Sequence, residues 1–275
     1  MMPRPVVEVA ETLWRDGKAA AGARSVPEES AVALTFGGST HAVMMATPAD
    51  LEDFGIGFCL TEGIVASAAE IEAVELIESA LGIEVRMRLA GEREAELAGR
   101  RRRLAGPVGC GLCGIESLEA AMRPASAVGA GRAVAAAAIL AAMHRLAPLQ
   151  ALNQATRAVH AAAFLDLETD ALSVREDVGR HNALDKLAGA LARAGTDASG
   201  GVVLLTSRVS VEMVQKSAAI GASIVVAVSA PTALAVRTAE AAGITLVGIA
   251  RADGFEVFTH PHRIRFEEIG TRHVA

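Results

Sequence analysis

Three short, unbroken apolar runs in the last third of the chain constrain its fold more than any other feature: "GGVVLLTS" (200–207), "SIVVAVSA" (223–230) and "TLVGIA" (245–250). "GGVVLLTS" in particular is short, continuous and rich in β-branched residues. The first reads as a strand covered on both sides, and the other two read as further strands. Between them lie "VSVEMVQKSAAIGA" and "PTALAVRTAEAAG", whose apolar residues recur at helical spacing. Strands alternating with helices imply a layered α/β domain with a partly parallel sheet. Upstream, "AVHAAAFLD" and "ALSVRED" read as a hairpin pair, "HNALDKLAGALARAG" and the Ala-rich "GRAVAAAAILAAMHRLA" as helices, and "GFEVFTH" adds a last strand.

The first part of the chain has a different rhythm. From Val6 to Met45 short alternating pieces are divided by Gly, Pro and charged turns, as in strands of a half-exposed sheet. "TPADLEDFGIGFCLTEGIV" follows, with Thr47 placed to cap a helix, Pro48 at its first position, and Leu51, Phe54 and Phe58 on one apolar face. Cys59 shares that face and reads as a small buried hydrophobe. "AVELIESA" and "IEVRMRLA" form another strand pair, so an α+β lobe with an antiparallel sheet is expected. Residues Gly91 to Pro107 are charged and lack an apolar period, which marks a boundary. The expected organisation is an N-terminal α+β lobe over 1–105, a CxxC loop and connecting helix over 106–130 with a helix start near Ser117, and an α/β domain over 131–275.

Composition narrows the functions open to such a chain. A net charge of −6 and the absence of Tyr, with a single Trp, argue against a nucleic-acid partner and against base-stacking platforms. Glu8, Glu11 and Asp16 occupy the stretch where a signal peptide needs an apolar run, and no apolar segment reaches the ~18 residues of a membrane span. Three cysteines suit a reducing compartment where thiols have chemical duties. A soluble, cytoplasmic protein without a membrane partner is expected.

In a sheet of this kind ligands collect outside the carboxyl ends of the strands, where helix N-termini point. Those ends are Thr206-Ser207-Arg208, Ser229-Ala230-Pro231-Thr232 and Ile249 through Gly254. Arg208 and Arg251 lie on two of them, and "REDVGRHN" adds Arg175, Arg180 and His181 after another strand. Backbone N–H groups beside guanidinium forks suit phosphate oxygens, so an anionic ligand is expected. Helix capping alone also accounts for Ser and Thr in such loops.

"GPVGCGLCGIESLEAA" (107–122) carries Cys110 and Cys113. A structural zinc needs four ligands, and there is neither a second C-x-x-C nor an H-x-x-x-H to supply the rest. A zinc nucleotide deaminase needs an H-x-E or C-x-E, and no His or Cys here is followed by x-Glu. A thioredoxin-type dithiol opens a helix after an N-terminal strand, whereas this pair lies mid-chain among Gly106, Gly109, Gly111 and Gly114. So glycine-rich a stretch suits a sulfur that must visit two places. Arg100 to Arg103, just upstream, favour a thiolate, although a solvated basic turn explains them equally well.

Several motifs together, "TPADLEDFGIGFCLTEGIV", "CGLCGIESLEA", "REDVGRHNALDKLAG", "RVSVEMVQKSAAIGA", "SAPTALAVRTAEAAGITLVGIAR" and "EVFTHPHRI", resemble the formate dehydrogenase accessory sulfurtransferases of the FdhD/NarQ family. The resemblance runs through nearly the whole chain. It implies a cytoplasmic homodimer whose C-terminal domain is a three-layer αβα unit of the cytidine-deaminase-like type with a mixed sheet. It also implies a sulfurtransferase that takes persulfide sulfur from a cysteine desulfurase and delivers it to a molybdenum bis-molybdopterin guanine dinucleotide cofactor, required for formate dehydrogenase activity. The family's persulfide cysteine maps to Cys110, with Cys113 auxiliary, and its cofactor-binding segment to Ile249, Ala250, Arg251, Ala252, Asp253 and Gly254; no metal of its own is implied. The chain departs from the family where "TSRV" lacks a glycine, where Ile249 stands for a Phe, and where Phe258 stands for a Tyr. Two other readings stay open on the residues alone: a dithiol oxidoreductase using Cys110 and Cys113, and a passive chaperone for the cofactor. Roles for Asp177, His181 and Lys216 are left unassigned.

Overall fold

The computed structural model describes residues 2–91, 93 and 123–266. Cys110, Cys113 and the helix start expected near Ser117 lie outside these residues.

The chain begins with a two-stranded ribbon, β1 (Val6–Arg15) and β2 (Lys18–Pro27), paired antiparallel. Then come β3 (Ser30–Phe36), β4 (Ser39–Ala46), helix α1 (Leu51–Thr61), β5 (Ile71–Ser79) and β6 (Gly82–Leu89). These four strands form one sheet in the order β4-β3-β6-β5. The sheet is mixed, which corrects the expectation of an antiparallel one: β3 runs parallel to β6, with Val32 opposite Ile83. Tight turns fix the two hairpins as antiparallel. The link between them is a helical crossover, which delivers β5 parallel to β4 and sets β6 along β3. Phe54, Phe58, Leu51 and Cys59 of α1 pack on Val32, Leu34, Phe36, Val85 and Met87 of the sheet. The cap of α1 also differs from expectation. Its N-cap is Asp50, in the left-handed region at φ 53°, with no side-chain cap bond.

The second unit opens with β7 (Val134–Ala135), α2 (Ala136–Leu149) and α3 (Ala151–Thr156). It continues with β8 (His160–Asp166), β9 (Leu172–Asp177), α4 (Arg180–Arg193), β10 (Gly201–Leu205), α5 (Val211–Ala219), β11 (Ile224–Ala227), α6 (Ala233–Ala242), β12 (Thr245–Arg251), β13 (Gly254–Val257) and β14 (Ile264–Arg265). A six-stranded sheet in the order β13-β12-β11-β10-β8-β9 forms the centre. β10, β11 and β12 are parallel, and β8 and β13 run against their neighbours.

Strand alternation sends Val203, Leu205, Val225 and Ala227 to one face, against Leu184, Leu187, Met213, Val214, Ala235 and Ala239 of α4, α5 and α6. Val202, Leu204, Ile224 and Val226 go to the other, against Ile139, Ala142 and Leu146 of α2. Both faces are dry, as the unbroken apolar runs require. Before β7 the chain from 123 to 133 has no regular secondary structure and is pinned by buried Arg263, which donates to the carbonyls of Gly129 (3.2 Å) and Ala130 (2.5 Å), and also to that of Gly243 (2.8 Å).

The two units meet where α1 crosses α4 in near-backbone contact. A Cβ on Gly57 would stand 1.7 Å from the carbonyl oxygen of Asp185, and one on Gly189 would stand 1.9 Å from that of Asp53. Buried Asp53 of α1 is paired with Arg175 of β9 at 2.7 Å and with Arg193 of α4 at 2.8 Å. This crossing fixes the N-terminal sheet against the start of α4, beside the carboxyl edge of the larger sheet.

Candidate functional site

β9, β10, β11 and β12 all end at the same edge of the six-stranded sheet, because β8 runs antiparallel to both β9 and β10. Helices α4, α5 and α6 begin there. The expected loops are joined by backbone hydrogen bonds along that edge. Thr206 N–H donates to Ala161 O at 3.1 Å, Thr232 N–H to Val209 O at 2.9 Å, and Ile249 N–H to Ser229 O at 3.3 Å. Thus 206–208, 229–232 and the start of 249–254 form one row. Thr232 is a capping residue, its Oγ1 accepting from Ala235 N–H at 3.2 Å.

Within 249–254, Ile249 is a non-glycine residue at φ 52° and sits in a bulge that breaks the β12–β13 register between Gly248 and Arg251. Bulges of this kind re-aim side chains at sheet rims. Ala250 is buried, while Arg251, Ala252 and Asp253 are exposed at the tip. The close approach behind them needs Gly248, where a Cβ would meet Phe258 and Pro231 at 2.9 Å. Arg208 is exposed on the neighbouring loop.

The turn from β9 into α4 carries Arg180 and His181. Gly179 is the N-cap, and Arg180 and His181 are the first two helical residues, so His181 does not cap the helix. Arg180 Nε and His181 Nε2 are both buried, and among the described residues neither has a hydrogen-bond partner. Glu212, the carboxylate paired with His181, stands 4.0 Å away. Burial, reinforced by Arg180 and Lys216, lowers the His181 pKa to about 4, so its imidazole is neutral at neutral pH. His160 at the start of β8 is lowered by burial and by Arg180. Buried polar atoms without partners are costly, and these two stand at the strand-end edge where ligands of such sheets collect. The signal available in the sequence was "GRHN" directly after a strand.

Lys216, unassigned from the sequence, is turned inward. Its ammonium is buried and donates to Thr61 Oγ1 (3.0 Å), Glu62 Oε1 (2.7 Å) and both oxygens of Asp185 (2.9 and 3.0 Å). Thr61 Oγ1 donates in turn to Asp185 Oδ1 at 2.6 Å. Burial pushes the Asp185 carboxyl up; burial also works against the Lys216 charge, but Asp185 and Glu62 outweigh it and hold that ammonium above its ordinary range. Cys59 is fully buried, 3.4 Å from Met87 Sδ, and burial and then Asp185 push its thiol far up, so it is no nucleophile. A separate cavity of about 380 Å³ lies at the opposite end of the sheet, lined in part by Asp166, Glu168 and Asp197, and these carboxylates repel an anion. Among the described residues no helix is long and apolar enough to cross a membrane, and no group of three or more His, Cys, Asp or Glu could hold a metal.

Fold and edge together define a two-unit α/β protein with three helix N-termini and the exposed Arg208 and Arg251 along one strand-end edge. A profile of the FdhD/NarQ family matches residues 27–265, and the chain belongs to that family. It is 54% identical over 257 residues to the sulfur carrier protein FdhD of Agrobacterium fabrum, covering 93% of this chain and 95% of that protein. The protein of the same name from Cupriavidus necator is 52% identical over 258 residues, covering 94% of this chain and 90% of that one. Among solved structures, a protein from Desulfotalea psychrophila assigned as a formate dehydrogenase accessory protein superposes with a TM-score of 0.73 at 24% identity, over 95% of this chain and all of that one. That likeness is one of fold.

Proposed function

We propose that this protein is a sulfur carrier in the maturation of formate dehydrogenase. In this reading Cys110 takes sulfur from a cysteine desulfurase. Its thiolate attacks the outer sulfur of the donor's persulfide, a new S–S bond forms on Cys110, the donor's S–S bond breaks, and the donor leaves as a thiolate. Delivery is to the molybdenum of a bis-molybdopterin guanine dinucleotide, which is the protein's substrate and not a resident group. Cys113 is auxiliary. The work is cytoplasmic and performed by a homodimer, and the three-layer second unit is of the cytidine-deaminase-like type. Residues 1–105, 106–130 and 131–275 are its N-terminal lobe, cysteine-bearing connection and cofactor-binding domain.

The observation that carries the substrate assignment is the edge itself. Buried Arg180 Nε and His181 Nε2, without partners among the described residues, lie at the same sheet edge as two further helix N-termini, with the exposed guanidinium groups Arg208 and Arg251 on adjoining loops. Helix N-termini and guanidinium forks bind pyrophosphate. A neutral His181 donates or accepts at Nε2 without adding charge. In this reading Arg251 and the backbone from Ile249 to Gly254 meet one end of the dinucleotide, and Arg180 and His181 lie further along it.

Guanosine diphosphate, a fragment of the substrate, tests this by calorimetric titration. Arg251→Ala removes a charge-assisted hydrogen bond worth about 1.5–3 kcal/mol, so affinity falls about ten- to a hundredfold. Unchanged affinity removes the 249–254 segment from the site.

A further inference from the structure

Thr47 reaches across to the second unit with three of its polar atoms, two of them bonded to the turn before Arg180 and His181. Its N–H donates to Asp177 Oδ2 at 3.0 Å, its Oγ1 accepts from Val178 N–H at 3.1 Å, and its carbonyl accepts from Lys186 Nζ at 2.9 Å. Asp177 is fully buried and saturated. Oδ1 accepts from Gly179 N–H at 2.7 Å and from Asn182 Nδ2 at 3.0 Å, and Oδ2 faces Lys186 Nζ at 2.6 Å across a fully buried ion pair. Asn182 Nδ2 also reaches back to Met45 O at 2.8 Å. The end of β4, in the N-terminal unit, is thereby bonded to residues 177, 178, 182 and 186 of the second unit. The expected role of Thr47, capping α1, is not the one it plays.

We infer that Thr47 is a positioning residue: through Asp177 and Val178 it holds the 178–181 turn so that the side chains of Arg180 and His181 present their buried nitrogens along the substrate edge. The inference rests on the ligand assignment above, but its geometry does not. A fully buried carboxylate taking four donors from three stretches of chain cannot shift without breaking bonds in both units. Gly179 offers no side-chain cap, so the turn is held from its two flanks, by the Asp177 carboxylate and by the Thr47 hydroxyl on Val178 N–H.

The test uses the full chain with Thr47→Val and Thr47→Ser. Valine keeps the shape and removes the acceptor of Val178 N–H, and serine keeps the acceptor. Two readouts are taken: the proton NMR titration of the His181 ring, assigned by its loss in His181→Gln, and the affinity for guanosine diphosphate. Groups facing His181 are Arg180 on its own helix, Glu212 and Lys216 on α5, and Glu62 at the end of α1; none is altered by the substitutions. In Thr47→Val the loosened turn hydrates the ring, its midpoint climbs from about 4 toward the ordinary imidazole range, and nucleotide affinity falls about tenfold. Thr47→Ser restores both. A His181 titration in Thr47→Val that overlays the wild type overturns the inference. If the wild type binds no guanosine diphosphate, the ligand assignment fails while the titration still decides the role of Thr47. Should Thr47→Val not fold, Thr47→Ala removes the same acceptor with less bulk, with the same expected rise and the same refutation.

Discussion

Replacing Lys216 by Met separates a structural role for this lysine from a role in ligand binding. The substitution keeps length and volume but removes all four hydrogen bonds of the ammonium. Glu62 is 38% exposed on its side chain and returns to water at little cost, whereas the Asp185 side chain is 1% exposed and cannot. Breaking a buried pair from one side costs about 3–5 kcal/mol, because the remaining charge has no compensation. The loss depends on pH with a definite sign. Burial raises the Asp185 carboxyl, so the folded variant keeps its proton at a pH where the unfolded chain has lost it. Stability of the variant therefore improves as pH falls through that window, by up to about 1.4 kcal/mol per unit, and the deficit against the wild type shrinks. Urea unfolding at about pH 7.5 and about pH 5 measures both quantities. A deficit under about 1 kcal/mol, or one identical at the two pH values, refutes the reasoning. Affinity for guanosine diphosphate stays within about twofold of wild type; a tenfold loss places Lys216 on the ligand after all.

Gly57→Ala drives a methyl group to 1.7 Å from the carbonyl of Asp185 on α4, a contact that only backbone movement relieves, so thermal unfolding shows a loss of about 3 kcal/mol or more. In the native protein Cys59 resists iodoacetamide and becomes reactive only in denaturant, as peptide mapping checks; native labelling of Cys59 contradicts its burial and raised pKa. Cys110→Ser abolishes sulfur loading with cooperative unfolding retained, and Cys113→Ser has a milder effect because one sulfur carries a persulfide; the reverse ranking exchanges their roles.

The second unit was legible because its strands are buried on both faces. Runs such as "VVLL" and "IVVA" admit few alternatives once helices flank them, and the position of the strand-end row followed from the alternation alone. The parallel pairing of β3 with β6 was not legible, since hairpin turns are local signals and the register between hairpins is set by where α1 crosses. Thr47 misled for a related reason: Thr-Pro before an acidic turn is a capping pattern, and only the docking of a segment some 130 residues away, at Val178, shows where its hydroxyl is used. Lys216 was ambiguous because a lone lysine on an amphipathic helix carries no mark of the carboxylate it will meet. Gly57 and Gly189 gave no local signal, their necessity arising from a helix crossing between units. The Arg180–His181 turn was visible as a motif, yet its unpartnered nitrogens are a property of the packed molecule.

The claim at the centre is that Cys110 carries sulfur, and intact-protein mass after incubation with a cysteine desulfurase and cysteine tests it most directly. The account predicts a gain of about 32 Da per sulfur atom, removed by a thiol reductant, mapped to the peptide containing Cys110 and absent from Cys110→Ser. A mass that does not rise, with the wild type cycling only between dithiol and disulfide or not reacting, contradicts it.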